Sequence, residues 1–173
     1  MMSCKEALKE SGGDFDGALE YLRKKGQKVA AKRADRDATE GVVVTHVSDA
    51  GDYGAIMALS CETDFVAKNE DFIALANAIL KTAVEAKAES KEQVAGLDFN
   101  GTPVADKLVE QTGVIGEKIE VSDFQCLTGE NIASYIHAGS KIGVLVAYKD
   151  GGKGEEAAGF FRTVAMHIAA MKP

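Results

Sequence analysis

The side chains that could do covalent or metal chemistry are few and scattered. Histidines stand at 46, 137 and 167, with no HxH or HExxH spacing. Metal ligation needs such clustering, so no metal is expected. Cysteines stand at 4, 61 and 126, odd in number and without a CxxC pair. That argues against a disulfide framework or a zinc knuckle and fits a reducing compartment. Cys61 and Cys126 fall in strand-like runs, where buried, inert thiols are the default. Gly151-Gly152-Lys153-Gly154 lacks the GxxxxGK[ST] spacing of a phosphate loop and reads as a flexible turn. No Ser-His-Asp or Cys-His arrangement can be assembled. The expectation is a protein that is not an enzyme and carries no cofactor of its own.

One stretch has chemistry of another kind. Cys61 to Asn69 reads CETDFVAKN. It lies between an apolar strand-like run, Ala55 to Leu59, and a helix-like run from about Phe65 to Glu85. Thr63 or Asp64 can cap that helix through an oxygen. The alternative is that Phe65 is a hydrophobic wedge for a partner protein, with Asp64 as its charged companion.

The elements that must hold this stretch follow from periodicity. Ser3 and Glu6 have capping-box spacing ahead of a short helix to about Glu10. Gly12-Gly13 stops it, and Asp14 can cap a second helix with Phe15, Ala18, Leu19 and Leu22 on one face. Gly26 reads as the stop of that helix. Arg23 to Arg36 holds seven basic residues and one acid. With no aromatic interleaved for stacking, a solvated helical linker is favoured over a nucleic-acid contact. Val42-Val43-Val44 with Val47, then Tyr53 to Leu59, read as an antiparallel hairpin. A helix follows, with Phe72, Leu75, Ala76, Ile79 and Leu80 on its apolar face. Ser90 to Gly101 reads as loop, Pro103 opens a helix to about Gln111, and Glu117 to Leu127 reads as a third strand.

The hairpin-plus-helix pattern then returns. A shift of 89 positions with no gap matches Val43 to Ile132, Gly54 to Gly143, Phe72 to Phe161 and Ile79 to Ile168. The expected fold is α+β, with a core of two duplicated units and antiparallel sheets. The first copy has Asp64 and Phe65 where the second has Lys153 and Gly154 in a plain turn. The acid–aromatic pair is therefore an elaboration of one copy rather than a demand of the fold. The second copy has no third strand, so either the chain is cut short or a partner, a second copy included, completes the sheet.

Composition sets the remaining bounds. The chain has 173 residues, 46% hydrophobic and 27% charged, with net charge −7. This is an ordinary globular mix. An acidic body of this kind is not an electrostatic nucleic-acid binder. The apolar runs are too short to span a membrane, and no signal peptide is read at the N-terminus.

CETDFVAKN closely resembles the TDFVA[KR][ND] signature of the elongation factor Ts family, the guanine-nucleotide exchange factors of elongation factor Tu. MMSCKEAL from Met1, GEKI from Gly116, SYIH from Ser134 with IGVLV after it, and AMHIAAMKP to Pro173 resemble further family blocks, in family order. The resemblance runs the length of the chain. It implies a small ubiquitin-associated-like helical module at 1–26, partial because the family's first helix would precede the Met pair. It also implies a linker at 27–40, a first core subdomain at 41–129 and an incomplete second one at 130–173. On this resemblance the chain is truncated at both ends and works in the cytoplasm. The implied partner is the GTPase domain of elongation factor Tu. Phe65 would enter an apolar pocket there, Asp64 and Ile115 would press beside it, and Thr63 and Val66 belong to the same motif. His137, Met1 and Met2 would be outlying contacts. Taken alone, His137 is a strand-end residue and the Met pair a disordered chain start. A protein-binding or dimerising module without exchange activity is the alternative.

Overall fold

The computed structural model describes residues 2–171. Met1, Lys172, Pro173 and the side chain of Met2 lie outside the described residues.

Two helices open the chain, α1 (Met2–Glu10) and α2 (Phe15–Arg33). Because α1 already includes Met2, Ser3 sits inside its first turn and not at a cap. Glu6 is used elsewhere: its carboxylate pairs with Lys25 of α2 at 2.7 Å. Asp14 caps α2 by accepting from the Gly17 N–H at 2.7 Å. Ala7 and Ala18 are buried, but Phe15 and Leu19 stay exposed, so the apolar face expected on α2 is covered only in part.

Gly26 does not stop α2, which runs straight through it to Arg33. The glycine serves a helix crossing. It is buried against α6 (Val104–Ile115), where a methyl group placed on Gly113 would lie 2.5 Å from the Gly26 Cα. At Gly113 only backbone against backbone fits, and that contact offsets the poor helix propensity of glycine there.

The first sheet has the order β1-β2-β3 and is antiparallel throughout: β1 (Glu40–Val47), β2 (Tyr53–Cys61) and β3 (Glu120–Thr128). Val42, Val44, Ala55, Met57, Leu59, Cys61 and Phe124 alternate onto its buried face. Phe72, Ala76, Ile79, Leu80 and Ala83 of α4 (Glu70–Glu85) belong to the same core. The period of two on the strands and of 3.6 on the helix is what lets these faces meet. The expected helix from Phe65 to Glu85 is in fact two. A four-residue helix, α3 (Asp64–Ala67), ends at Lys68. Asn69 then caps α4 by accepting from the N–H groups of Asp71 and Phe72.

The stretch expected as loop contains a short helix, α5 (Lys91–Gly96), capped by Ser90 and anchored by the fully buried Val94. Strand β3 begins at Glu120 rather than Glu117, because Glu117 and Lys118 are engaged elsewhere. A second sheet pairs β4 (Asn131–Ile136) with β5 (Gly143–Tyr148), also antiparallel. It lies close to the first sheet: Cβ atoms added at Gly54 and Gly143 would meet Ile132 and Val43 at 2.7 Å. Helix α7 (Glu155–Met171) packs on it through Ala157, Ala165 and Ala169, and Phe161 stacks on Tyr148 at 4.2 Å. The result is a mixed helix and strand protein with small antiparallel sheets, compatible with the expected α+β class.

Candidate protein-docking site

Two strand–helix junctions meet at one end of the first sheet, and each presents an apolar side chain to water. At the first, β2 leaves the sheet at Cys61 and α3 begins at Asp64. Thr63 is the cap residue, with its Oγ1 3.5 Å from the Val66 N–H. Ala67 is buried and Val66 packs against the core, which fixes the inner side of α3. Phe65 points away from it and is 84% exposed. It is the most exposed of the large apolar side chains among the described residues.

Asp64 pairs with Lys68 one turn on, Oδ2 to Nζ at 2.7 Å. The Lys68 hydrogen bond and charge hold the Asp64 carboxyl below its usual range, and Lys141 adds to this. The pair raises the Lys68 ammonium in turn. Both groups are solvated, so the pair orients side chains more than it stabilises the fold.

At the second junction α6 ends on Gly116, whose left-handed φ of 83° turns the chain back toward β3. Ile115, the last residue of α6, is 37% exposed, and its neighbour Val114 is 74% exposed. Val114 escaped the sequence reading because a lone apolar residue at a helix end carries no period.

The junctions are tied by two carboxylates that the sequence reading also missed. Glu117 accepts from the backbone N–H groups of Glu62 and Thr63 at 3.1 and 3.0 Å, and Thr63 Oγ1 donates to it at 2.7 Å. Glu62 reaches the other way and accepts from the Lys118 N–H at 2.7 Å. The same carboxylate receives Arg33, from the last turn of α2, at 2.8 and 2.9 Å. The Lys118 N–H first, then Arg33 and Arg36, lower the Glu62 pKa. Both glutamates lie inside motifs read from the sequence, CETDFVAKN and GEKI. Their mutual pairing leaves no spacing signal, since 55 positions separate them.

Cys61 closes the base of the site. Its thiol is fully buried, donates to the Thr63 carbonyl at 3.2 Å, and is pushed up to about 11, mainly by burial. Such a thiol is inert at neutral pH.

His137 is exposed at the end of β4, its Nδ1 3.1 Å from the Tyr135 hydroxyl. The turn after it reaches the first sheet, where the Val43 N–H donates to the Ser140 carbonyl at 2.7 Å, and Lys141 pairs with Glu40. Thr63, Asp64, Phe65 and Val66 thus share α3 and its cap, and Ile115 is joined to them through Glu117 and Lys118. His137 belongs to the neighbouring sheet. Among the described residues no group of three or more His, Cys, Asp or Glu could hold a metal ion. No helix there is long and apolar enough to cross a membrane.

Such a fold and site define a class: an α+β protein with an exposed aromatic on a packed strand–helix junction and no constellation for bond-making among the described residues. The chain belongs to the elongation factor Ts family. The family model described as "Elongation factor TS" matches residues 62–173. Over its whole length the chain is 61% identical to elongation factor Ts of Rhodopirellula baltica. It is 53% identical to that of Christiangramia forsetii and 45% identical, over 174 positions, to that of Porphyromonas gingivalis. It spans 52%, 62% and 61% of these relatives' own lengths.

Proposed function

We propose that this chain docks onto elongation factor Tu and promotes release of GDP, as a non-enzymatic exchange factor of translation acting in the cytoplasm. The observation that carries the reading is Phe65, an aromatic ring left in water by a helix whose inner side is packed and whose start is hydrogen-bonded. Family membership supports the choice of partner. Phe65 is the wedge, Asp64 and Ile115 flank it, Thr63 and Val66 set its base, and His137, Met1 and Met2 are outer contacts. GTPase nucleotide affinity leans on a Mg²⁺ ion held by few protein ligands and the phosphates. A ring driven beside those ligands shifts them and loosens ion and nucleotide together. The chain needs neither nucleic acid nor membrane for this.

Two finer readings go with it. The β1-β2-α4 and β4-β5-α7 successions are read as two copies of one unit, on the strength of the ungapped match at 89 positions. Helices α1 and α2 are read as part of a ubiquitin-associated-like head. The division at 26, 40 and 129 is kept as the working domain plan, with α2 bridging the first boundary.

The test is release of a fluorescent GDP analogue from elongation factor Tu. Asp64→Ala combined with Phe65→Ala is expected to slow stimulated release at least tenfold while the circular dichroism spectrum stays unchanged, about the effect of losing one interface hot spot. Unchanged release by the double variant removes the assigned roles. The second reading, a dimerising module without exchange activity, is favoured by the exposed Leu8, Phe15 and Leu19 on α1 and α2. Light scattering after gel filtration, together with no stimulation of release by the parent chain, would select it.

A further inference from the structure

We infer that Glu62 and Glu117 are positioning residues that hold the two docking junctions in fixed register, so that Phe65 and the Val114-Ile115 tip are presented as one rigid surface. The inference rests on the reading of Phe65 as the wedge. Each glutamate belongs to one junction and spends its oxygens on the backbone of the other. Glu117, just past α6, takes the N–H groups of Glu62 and Thr63 and the Thr63 hydroxyl. Glu62, just past β2, takes the Lys118 N–H. Without them, three donors at the mouth of α3 and one at the start of β3 would have to find water.

The pairing is directional as well as close. Carboxylate bonds to backbone N–H groups are short and strong, and two crossing ones fix rotation as well as distance. Helix α3 has only four residues and cannot hold its own axis by internal hydrogen bonds. The orientation of Phe65 therefore depends on what grips the first turn, and the grip is Glu117. The Glu62 side chain is only 13% exposed, and its remaining capacity is filled by Arg33. That bond carries the register to the C-terminal end of α2, so the helix crossing α6 and the wedge share one anchor.

The experiment uses a reporter that the chain lacks. It contains no tryptophan, so Phe65→Trp puts a single indole on α3. In the free protein, adding Glu117→Gln to Phe65→Trp is expected to lower the steady-state anisotropy of that indole and raise its quenching by iodide. With elongation factor Tu, Glu117→Gln alone is expected to slow maximal GDP release about tenfold. Added to Phe65→Ala it should cause no further slowing, because it acts through that ring. Unchanged anisotropy overturns the inference. So does equal slowing with and without Phe65, which marks a general loss of stability. If Phe65→Ala leaves release untouched while the anisotropy still falls, the wedge reading itself has failed, and the positioning role for exchange falls with it. Should Glu117→Gln not fold, Glu117→Asp carries the same comparison, since it keeps the charge but draws the carboxylate back from the Thr63 hydroxyl and the two N–H groups.

Discussion

Phe65 and Cys61 sit four residues apart and illustrate opposite uses of apolar surface. The cysteine is sealed under the junction; the phenylalanine stands on top of it. With its thiol pushed up to about 11, Cys61 should resist alkylation at pH 7.5 in the folded protein, while the exposed Cys4 reacts at once. Mass spectrometry after iodoacetamide treatment checks this. Prompt labelling of Cys61 would mean that the junction opens on its own. Glu62 makes a second residue-scale prediction. Its folded pKa lies below the ordinary carboxylate value, so its stabilising effect is complete above that value and is lost as pH falls through the folded one. Urea midpoints of the parent chain should therefore drop more steeply than those of Glu62→Gln as pH falls from about 5. Parallel curves would show that the carboxylate contributes nothing in its charged form.

Among the elements, the α2–α6 crossing is the one where a single methyl group decides the outcome. The two glycines at the contact are not equivalent. A Cβ on Gly113 would lie 2.5 Å from the Gly26 Cα, whereas a Cβ on Gly26 would meet its nearest atoms at 3.6 and 3.7 Å, ordinary contact distances. Gly113→Ala should force the helices apart and cost about 1–3 kcal/mol. Gly26→Ala should be neutral or gain up to about 1 kcal/mol from helix propensity. Urea unfolding of the two variants provides the comparison, and equal destabilisation would show that the crossing is looser than described. The break between α3 and α4 has a similar local cause. Asn69 turns its side chain to the next helix's free N–H groups, which ends one helix and starts another inside an otherwise continuous periodic run.

At the scale of the molecule, the acidic body, net −7, carries the proposed docking point at one end of the first sheet. The N-terminal helices are joined to that point by Arg33 and by the α2–α6 crossing. The proposed exchange would be a linkage effect. If the chain lowers the GDP affinity of elongation factor Tu by some factor, bound GDP must lower the chain's own affinity by the same factor. Calorimetric titration of the chain into nucleotide-free and GDP-bound partner should return that equality. Equal affinity for both forms would leave no free energy to drive release.

The hairpins, the helical face of α4 and the absence of catalytic spacing were all legible in the chain alone, because they depend on periods of two and 3.6 within short windows. So was the oddity of an aspartate and a phenylalanine where the ungapped match at 89 positions puts a lysine and a glycine. What the chain alone could not supply were contacts between distant residues. Gly26 read as a stop because its partner, Gly113, lies 87 positions away. Glu117 read as the start of a strand because its real bonds are to Glu62 and Thr63. Phe15 and Leu19 read as part of one apolar helix face, and periodicity marks a face without saying what covers it. Local sequence decides what conformation a segment prefers; only the folded chain decides which backbone groups and which apolar faces find partners, since that is a matter of proximity in space.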